Sequence, residues 1–144
     1  MTSTDVFEMA ALCVKDIMTQ TVVRLAPQQS VPEAIALLAQ HRFRHLPVVK
    51  DAQNVVGIVS DRDLLRALTR SPGTDQMTVQ EVMKRQVVTV RPETPLSAAA
   101  AAMLQHRINC VPVLDDEKRL CGIVTSADLL RVFQQLQEKV EQGR

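Results

Sequence analysis

The chain is poor in aromatic residues: its 144 residues include no tryptophan, no tyrosine and three phenylalanines. Single-stranded nucleic acids usually stack their bases on aromatic side chains, and this chain offers few of them. It also lacks an excess of charge of one sign, since 17 basic and 16 acidic residues are interspersed and leave a formal net charge of +1. A broad positive field for duplex DNA or an anionic membrane is not expected. The sequence therefore predicts neither a nucleic-acid partner nor a membrane partner.

Glycine is scarce and scattered. The four glycines, Gly57, Gly73, Gly122 and Gly143, form neither a phosphate-cradling loop nor a dinucleotide-binding fingerprint. No serine or cysteine stands in a recognisable motif with a histidine and a carboxylate. We therefore expect a protein that is not an enzyme.

Cysteine is also scarce, and long apolar runs are missing. Cys13, Cys110 and Cys121 show no Cys-x-x-Cys spacing, which favours small buried thiols that stay reduced. The longest uncharged apolar run, around Leu96 to Leu104, is far below the ~18 residues that span a bilayer. The first residues are acidic where a secretory signal is basic. These features predict a cytoplasmic protein.

The chain does contain an internal repeat. Residues 14–68 align with residues 79–133 at a constant offset of 65 and without a gap. Among the residues of the first copy that recur unchanged are Val14, Met18, Val22, Val23, Pro27, Gln40, His41, Arg42, Pro47, Val48, Gly57, Ile58, Val59, Asp63, Leu64, Leu65 and Arg66. Each copy is too small to bury its apolar face well, so the pair predicts one pseudo-twofold module. The expected boundaries are an N-terminal segment 1–13, motif 1 at 14–68, a linker 69–78, motif 2 at 79–133 and a helical tail 134–144.

Each copy is predicted to fold in the order strand, helix, strand, strand, helix. The apolar residues alternate in the short segments and recur at helical spacing in the longer ones. The first long helix is expected to start at a capping signal, Ser30 with Glu33 in copy 1 and Thr94 before Pro95 in copy 2. The predicted strands lie at 21–25, 46–49 and 55–59, and again at 86–90, 111–114 and 120–124.

One polar pattern, Gly-x-x-Ser/Thr-x-x-Asp, closes both copies. It places Ser60 three residues before Asp63, and Thr125 three residues before Asp128, where a strand runs into a helix. A hydroxyl and a carboxylate at this spacing are competent helix caps, which explains them without a ligand. The same geometry is also a polar ligand site, because free backbone N–H groups lie beside the side chains. An ionised aspartate accepts hydrogen bonds without donating them, which suits a vicinal diol such as a ribose.

Taken together, these motifs resemble the cystathionine-β-synthase-type (CBS) domains, which occur as tandem pairs. The resemblance covers residues 14–133, and its carriers are Asp16-Ile17-Met18, Leu46-Pro47-Val48-Val49 and the Gly-x-x-Ser/Thr-x-x-Asp ending in both copies. It implies an α+β fold of two βαββα motifs, related by pseudo-twofold symmetry and packed sheet to sheet with helices outside. It further implies two clefts between the motifs and a homodimer formed through helices, for which the alanine run 98–102 is well suited.

The resemblance also implies an adenosine-containing ligand, AMP, ADP, ATP or S-adenosylmethionine, with no cofactor required. Asp63 and Asp128 would hold ribose hydroxyls, while Ser60 and Thr125 would contact ribose or phosphate. The apolar residues that would enclose the adenine are Val22, Val87, Leu46 and Val111. The basic residues that would meet phosphates are Arg44, His45 and Arg62, which are matched in the second copy by Asn109, Cys110 and Ala127. The cleft that contains Asn109 and the cleft that contains Arg44 should therefore differ in their affinity for phosphate.

Two other interpretations stay open. His41 and His45, echoed by His106 and Cys110, are four residues apart and could share a metal, although position 45 is expected to lie beyond the helix. Alternatively, the module binds nothing small and serves as a dimerising or docking scaffold, since capping alone explains the Ser/Thr and Asp pairs. We expect instead a stand-alone, energy-sensing regulatory module. Its ligand would shift the population of two arrangements of the copies and so alter the binding of an unknown partner protein.

Overall fold

The computed structural model describes residues 12–20, 23–41, 43–51, 54–70 and 76–143. The first half contains α1 (Val14–Ile17), α2 (Val31–His41), β1 (His45–Lys50), β2 (Asn54–Ser60) and α3 (Asp61–Arg70). The second half contains α4 (Val79–Val82), α5 (Leu96–His106), β3 (Cys110–Leu114), β4 (Leu120–Thr125) and α6 (Ser126–Gln142). The chain is thus α+β, and both copies have the same order of elements, as the repeat predicts. Among these residues, no helix combines the length and apolar character that crossing a bilayer requires.

The starts of α2 and α5 differ in their capping. At α2, the Ser30 hydroxyl accepts the Glu33 backbone N–H at 3.2 Å, as predicted. At α5, the prediction that Thr94 is the N-cap is wrong, because Pro95 occupies that position in an extended conformation. The Thr94 hydroxyl instead accepts the Arg91 N–H at 2.9 Å and closes the preceding turn. A side chain committed to the preceding turn is not free to cap the helix that follows.

Strands β1 and β2 form an antiparallel hairpin. His45 lies opposite Ser60 and Pro47 lies opposite Ile58, with a register shift between residues 48 and 49. Paired residues share a face of the sheet and alternate residues of one strand do so too. The His45 and Ser60 side chains therefore lie on one face at the end of the hairpin where α3 begins. Strands β3 and β4 form the equivalent two-stranded sheet.

The first predicted strand of each copy is reduced to one bridged residue. Leu25 pairs in parallel with Val48, and Val90 pairs in parallel with Val113. The strand cannot continue far beyond these residues, because proline follows two positions later and has no N–H to donate. Residues 21 and 22 of the prediction lie outside the described residues. In both copies, the first strand of the βαββα order is therefore reduced to a single bridged residue.

The chain divides into two compact units that do not coincide with the sequence repeat. Of the described residues, unit 1 contains 12–20, 88–117 and 121–143, and unit 2 contains 23–87 with its gaps and 118–120. We call residues 12–20 and 76–87 the opening segments of copies 1 and 2. Each opening segment belongs to the unit that holds the rest of the other copy. The copies have therefore exchanged their opening segments.

Backbone hydrogen bonds fasten the opening segments in the same way in both units. In unit 1 the Val14 N–H donates to the Thr94 carbonyl at 2.8 Å. In unit 2 the Val79 N–H donates to the Gln29 carbonyl, also at 2.8 Å. The two bonds are repeat equivalents, because Val79 corresponds to Val14 and Gln29 corresponds to Thr94 at the offset of 65. The exchange is thus symmetric.

The two glycines of the closing pattern make room for the opening segments. A Cβ atom at Gly57 would lie 2.4 Å from the Met83 sulfur and 3.0 Å from the Lys84 carbonyl oxygen. A Cβ atom at Gly122 would lie 2.5 Å from the Met18 sulfur. Such separations are far inside van der Waals contact, so a side chain at either position would displace the methionine. Each glycine is therefore required because the opening segment of the other copy lies close to the backbone at that position.

Each unit has its own aliphatic core. The buried residues of unit 2 are Leu25, Val31, Ala34, Leu38, Leu46, Val48, Val59, Leu64 and Val79. Those of unit 1 are Val14, Val90, Ala99, Met103, Val111, Val113 and Val124. Val79 and Val14 come from the opening segments, so each core is completed by the other copy. The exchange therefore contributes buried apolar surface as well as hydrogen bonds.

Candidate ligand-binding site

In unit 2, Ser60 and Asp63 form a reciprocal cap at the start of α3. The Ser60 hydroxyl accepts the Asp63 N–H at 3.1 Å, and the Asp63 carboxylate accepts the Ser60 N–H at 3.4 Å through Oδ2. A carboxylate has about four acceptor positions, and this cap occupies one of them. Asp63 therefore keeps the capacity to accept hydrogen bonds from a diol while it caps the helix.

In unit 1, Thr125 and Asp128 form the equivalent cap at the start of α6. The Asp128 carboxylate accepts the Thr125 N–H at 2.9 Å, and the Thr125 hydroxyl accepts the Asp128 N–H at 3.3 Å. Asp128 Oδ1 additionally accepts from the Arg131 guanidinium at 3.0 Å. One oxygen thus serves the cap and the other an ion pair on the same helix.

Basic residues surround the Ser60–Asp63 cap. His45 lies directly opposite Ser60 in the hairpin, and the Arg44 carbonyl accepts the Asp61 N–H at 2.8 Å. Arg62 follows on the first turn of α3 and is exposed. The predicted residues Arg44, His45, Ser60, Arg62 and Asp63 are therefore brought together at one end of unit 2.

The charges around His45 determine its protonation. Burial lowers the pKa of His45 below its ordinary value of 6.5, and the positive charges of Lys84 and Arg44 lower it further. Asp61 and Asp63 act in the opposite direction without reversing the shift. The imidazole is therefore neutral at pH 7, and a bound anion would favour its protonation.

The equivalent positions in unit 1 are uncharged. The Asn109 carbonyl accepts the Ser126 N–H at 2.9 Å, which repeats the bond between Arg44 and Asp61. Cys110 is buried, and its burial, followed by the charge of Asp128, raises the pKa of the thiol to about 12. Ala127 is exposed on the first turn of α6. Unit 1 thus repeats the backbone of the site without its cations.

The four apolar residues predicted to enclose an adenine occupy different environments. Leu46 and Val111 are 1% and 0% exposed and belong to the two cores. Val87 is half-buried and is the last residue of the opening segment in unit 2, the unit of Asp63. Val22 lies outside the described residues. Their contact with an adenine stays a prediction.

The histidine pairs do not form a metal centre in the part of the chain that the structure describes. His41 is exposed at the end of α2 and stacks on Phe43, with ring centroids 5.6 Å apart. His45 lies in β1, beyond the helix as expected. No group of three or more His, Cys, Asp or Glu among the described residues could hold a metal ion.

One charged residue near the site has no counterpart in the sequence-based prediction. Lys84, in the opening segment of copy 2, exchanges two backbone hydrogen bonds with Ile58, at 3.0 and 2.9 Å. Ile58 lies two residues before Ser60 on β2, so Lys84 reaches the site from the other copy. Its repeat equivalent, Thr19, is bridged to Ile123 in the same way in unit 1. The replacement of Thr19 by Lys84 across the repeat is a signal in the sequence that could have identified this residue.

The fold and the paired caps define a tandem CBS module, and comparison with known proteins confirms it. The CBS domain model matches residues 14–70 and 79–135, so the chain belongs to the CBS domain family. The CBS domain-containing protein YhcV of Bacillus subtilis is 38% identical over 117 residues, which are 81% of this chain and 81% of that protein. The chain also matches an L-aspartate semialdehyde sulfurtransferase and homoserine O-acetyltransferases, but it spans only 23–24% of their length.

Two solved CBS structures that resemble this chain contain adenosine compounds. The CBS domain pair of protein MJ0100, in complex with 5′-methylthioadenosine and S-adenosyl-L-methionine, is 34% identical with a TM-score of 0.79, covering 87% of this chain and 98% of that chain. CBSX2 in complex with AMP is 31% identical with a TM-score of 0.75, covering 88% of this chain and 98% of that chain. The family and the α+β fold predicted from the sequence are thus confirmed.

Proposed function

We propose that this protein is a regulatory CBS module that binds an adenosine-containing ligand and signals its presence to a partner protein. The observation that carries the proposal is the carboxylate of Asp63, held in place by its cap, with Arg44, His45 and Lys84 nearby. An acceptor for a diol beside donors for an anion fits a nucleoside that carries a phosphate. The adenosine compounds in complexes of MJ0100 and CBSX2 support the same ligand class.

A regulatory role, rather than a catalytic one, agrees with the chemistry of the site. The side chains at the two sites form caps and an ion pair, and they include a histidine that burial keeps neutral. The enzymes that this chain matches share with it about a quarter of their length. We infer that binding shifts the module between two conformations, which a partner distinguishes.

The direct test is calorimetric titration and thermal unfolding with AMP, ADP, ATP, 5′-methylthioadenosine and S-adenosylmethionine. A ligand at a hundred times its dissociation constant stabilises the folded state by about 2.7 kcal/mol. We expect at least one of these compounds to bind with a measurable heat and to raise the unfolding temperature. Adenine-free ribose 5-phosphate serves as the control for phosphate binding alone.

The variants Asp63→Asn and Asp128→Asn assign the binding to a unit. Asparagine keeps one oxygen that can accept the backbone N–H of the cap, but it loses the negative charge and half of the acceptor capacity for a diol. Binding that is weakened in one variant, at little cost in stability, identifies the unit that holds the ribose. Undiminished binding in both variants contradicts the role of the two aspartates.

A second candidate function, a scaffold that binds no small molecule, is favoured by one observation. Both Ser/Thr and Asp pairs form complete reciprocal caps, so their local structural role is fulfilled without a ligand. If no adenosine compound binds in either assay, the scaffold is the better description of the protein.

We further propose that the protein forms a homodimer through its helices. Leu130 and Phe133 are one turn apart on α6 and are 66% and 59% exposed, and Leu104 on α5 is 80% exposed. Large exposed apolar side chains that are close on a helix are typical of interaction surfaces. Sedimentation should show a dimer that Leu130→Glu dissociates, whereas a wild-type monomer at all concentrations contradicts the proposal.

A further inference from the structure

The two units differ in charge at the positions that surround their capped aspartates. The residues of unit 2 that replace an uncharged residue of unit 1 are Arg44, His45, Asp61, Arg62, Lys84 and Arg85, in place of Asn109, Cys110, Ser126, Ala127, Thr19 and Gln20. Four of the six carry a positive charge, one carries a negative charge and one is a histidine. Arg66 and Arg131 are repeat equivalents, so they add the same positive charge to both units.

Lys84 is placed toward the capped aspartate by the register of its backbone. It is bridged to Ile58, and bridged residues share a face of the sheet. Ile58 and Ser60 are alternate residues of β2 and also share a face, as does His45 opposite Ser60. Lys84, His45 and Ser60 therefore lie on one face, at the end of the strand where Asp63 begins the helix. The lowering of the His45 pKa by the charge of Lys84 agrees with this proximity.

Asp61 is the acidic residue in this set, and its negative charge has the largest effect of the charges that act on the pKa of His45. Its Oδ1 accepts the Arg62 N–H at 2.7 Å. Against the negative charges of Asp61 and Asp63 stand the three positive charges of Arg44, Arg62 and Lys84, so the formal charge of these five residues is +1. A phosphate monoester carries about −1.5 to −2 charges at pH 7, and such a group is attracted to this surface. The equivalent surface of unit 1, with Thr19, Asn109 and Ala127, offers no such attraction.

On the basis of the adenosine binding proposed above, we propose that the two units sort adenosine ligands by charge. Unit 2 takes a phosphorylated adenosine, with Lys84 of the exchanged opening segment as a residue that selects the phosphate. Unit 1 takes an adenosine compound without a phosphate. The opening segment of copy 2 thus determines the ligand of a site whose ribose acceptor belongs to copy 1.

The chain provides its own matched variants, because Lys84 and Thr19 are repeat equivalents on exposed positions. Lys84→Thr gives unit 2 the residue of unit 1, and Thr19→Lys does the reverse. The probes are AMP and 5′-methylthioadenosine, which differ at the 5′ position in phosphate against methylthio. Titrations of the wild type, both exchanges and Lys84→Arg are compared at low and high salt.

We expect Lys84→Thr to weaken AMP binding about tenfold and to flatten its dependence on salt, while binding of 5′-methylthioadenosine is unchanged. Lys84→Arg should retain AMP binding, because it retains the charge. Thr19→Lys should increase the affinity of unit 1 for AMP, measured in the Asp63→Asn background. Equal AMP affinity in the wild type and in Lys84→Thr, or AMP binding that is lost in Asp128→Asn and kept in Asp63→Asn, overturns the sorting by charge.

The outcome also separates this inference from the proposed function. If neither probe binds the wild type, the proposed adenosine binding fails and the sorting fails with it. If both probes bind both units with equal affinity, adenosine binding stands and only the sorting by charge is refuted.

Discussion

Replacement of Gly57 by alanine should destabilise the protein through Met83. The added Cβ would lie 2.4 Å from the Met83 sulfur, 2.8 Å from its Cγ and 3.0 Å from the Lys84 carbonyl oxygen. The methionine can rotate away because its side chain is flexible, but the carbonyl belongs to the backbone bridge with Ile58. Overpacking of this kind costs about 1–3 kcal/mol, out of a typical total stability of about 5–15 kcal/mol.

A double-mutant cycle tests this explanation. Met83→Ala removes a partly buried side chain that packs on the core of unit 2, and alone it should cost about 1–2 kcal/mol, below the range for fully buried methionines. In the Gly57→Ala/Met83→Ala variant the new methyl group occupies space that the methionine has left. The double variant should therefore be more stable than the sum of the single effects predicts, by about 1 kcal/mol or more.

The assay is urea unfolding of the four proteins, followed by circular dichroism. As a control, Gly57→Ala is combined with Met18→Ala, whose methionine packs against Gly122 in the other unit. Gly57 and Met18 belong to different units, so the effects of this pair should add to within about 0.5 kcal/mol. Simple additivity in the Gly57 and Met83 pair would refute the close approach of the opening segment to β2 as the reason for the glycine.

Three further predictions follow from the site. Burial gives His45 a lower pKa in the folded than in the unfolded protein. Its contribution to stability is therefore complete above about pH 6.5 and is lost as the pH falls. The variant His45→Asn should flatten the decrease in the free energy of unfolding between pH 6.5 and pH 5. Ser60→Ala should cost about 1 kcal/mol by removing the acceptor for the Asp63 N–H, whereas Ser60→Thr should restore most of it in thermal unfolding. Cys110, whose pKa is raised to about 12, should resist iodoacetamide at pH 8 in the folded protein and react once urea unfolds it, as peptide mass mapping would show; rapid labelling under folding conditions argues against its burial.

The helices and hairpins could be predicted from the sequence because their signals are local. The apolar stripe of α2, the strand patterns of the hairpins and the spacing of Ser60 and Asp63 each involve residues within about a dozen positions of one another. The structure confirms these elements, and the two matches of the CBS domain model confirm the family. The Thr94 cap failed for a local reason as well, since a hydroxyl can close the turn before a helix as readily as it can cap the helix.

The exchange of the opening segments could not be predicted in this way. Apolar residues such as Val14 and Val79 indicate that a side chain is buried, but they do not indicate which copy buries it. Two copies with the same pattern offer the same surface to either opening segment, so the pattern is equally compatible with the exchanged and the unexchanged arrangement. The charge difference between the copies can be recognised in the sequence. Lys84, however, could be assigned to the Asp63 site only once its bridge to Ile58 was known.

The exchange also sets an order of events during synthesis of the chain on the ribosome. Unit 2 takes nearly all of its residues from one continuous stretch, so its opening segment meets the hairpin β1–β2 soon after residue 87 has been made. The opening segment of copy 1 is synthesised before copy 2, yet its backbone hydrogen-bond partners in unit 1 include Pro92, Thr94 and Ile123. At about 5–20 residues per second it waits several seconds with Val14 and Met18 uncovered. The opening segment of copy 1 therefore stays without its partners for longer than the opening segment of copy 2, and its apolar side chains need protection during that time.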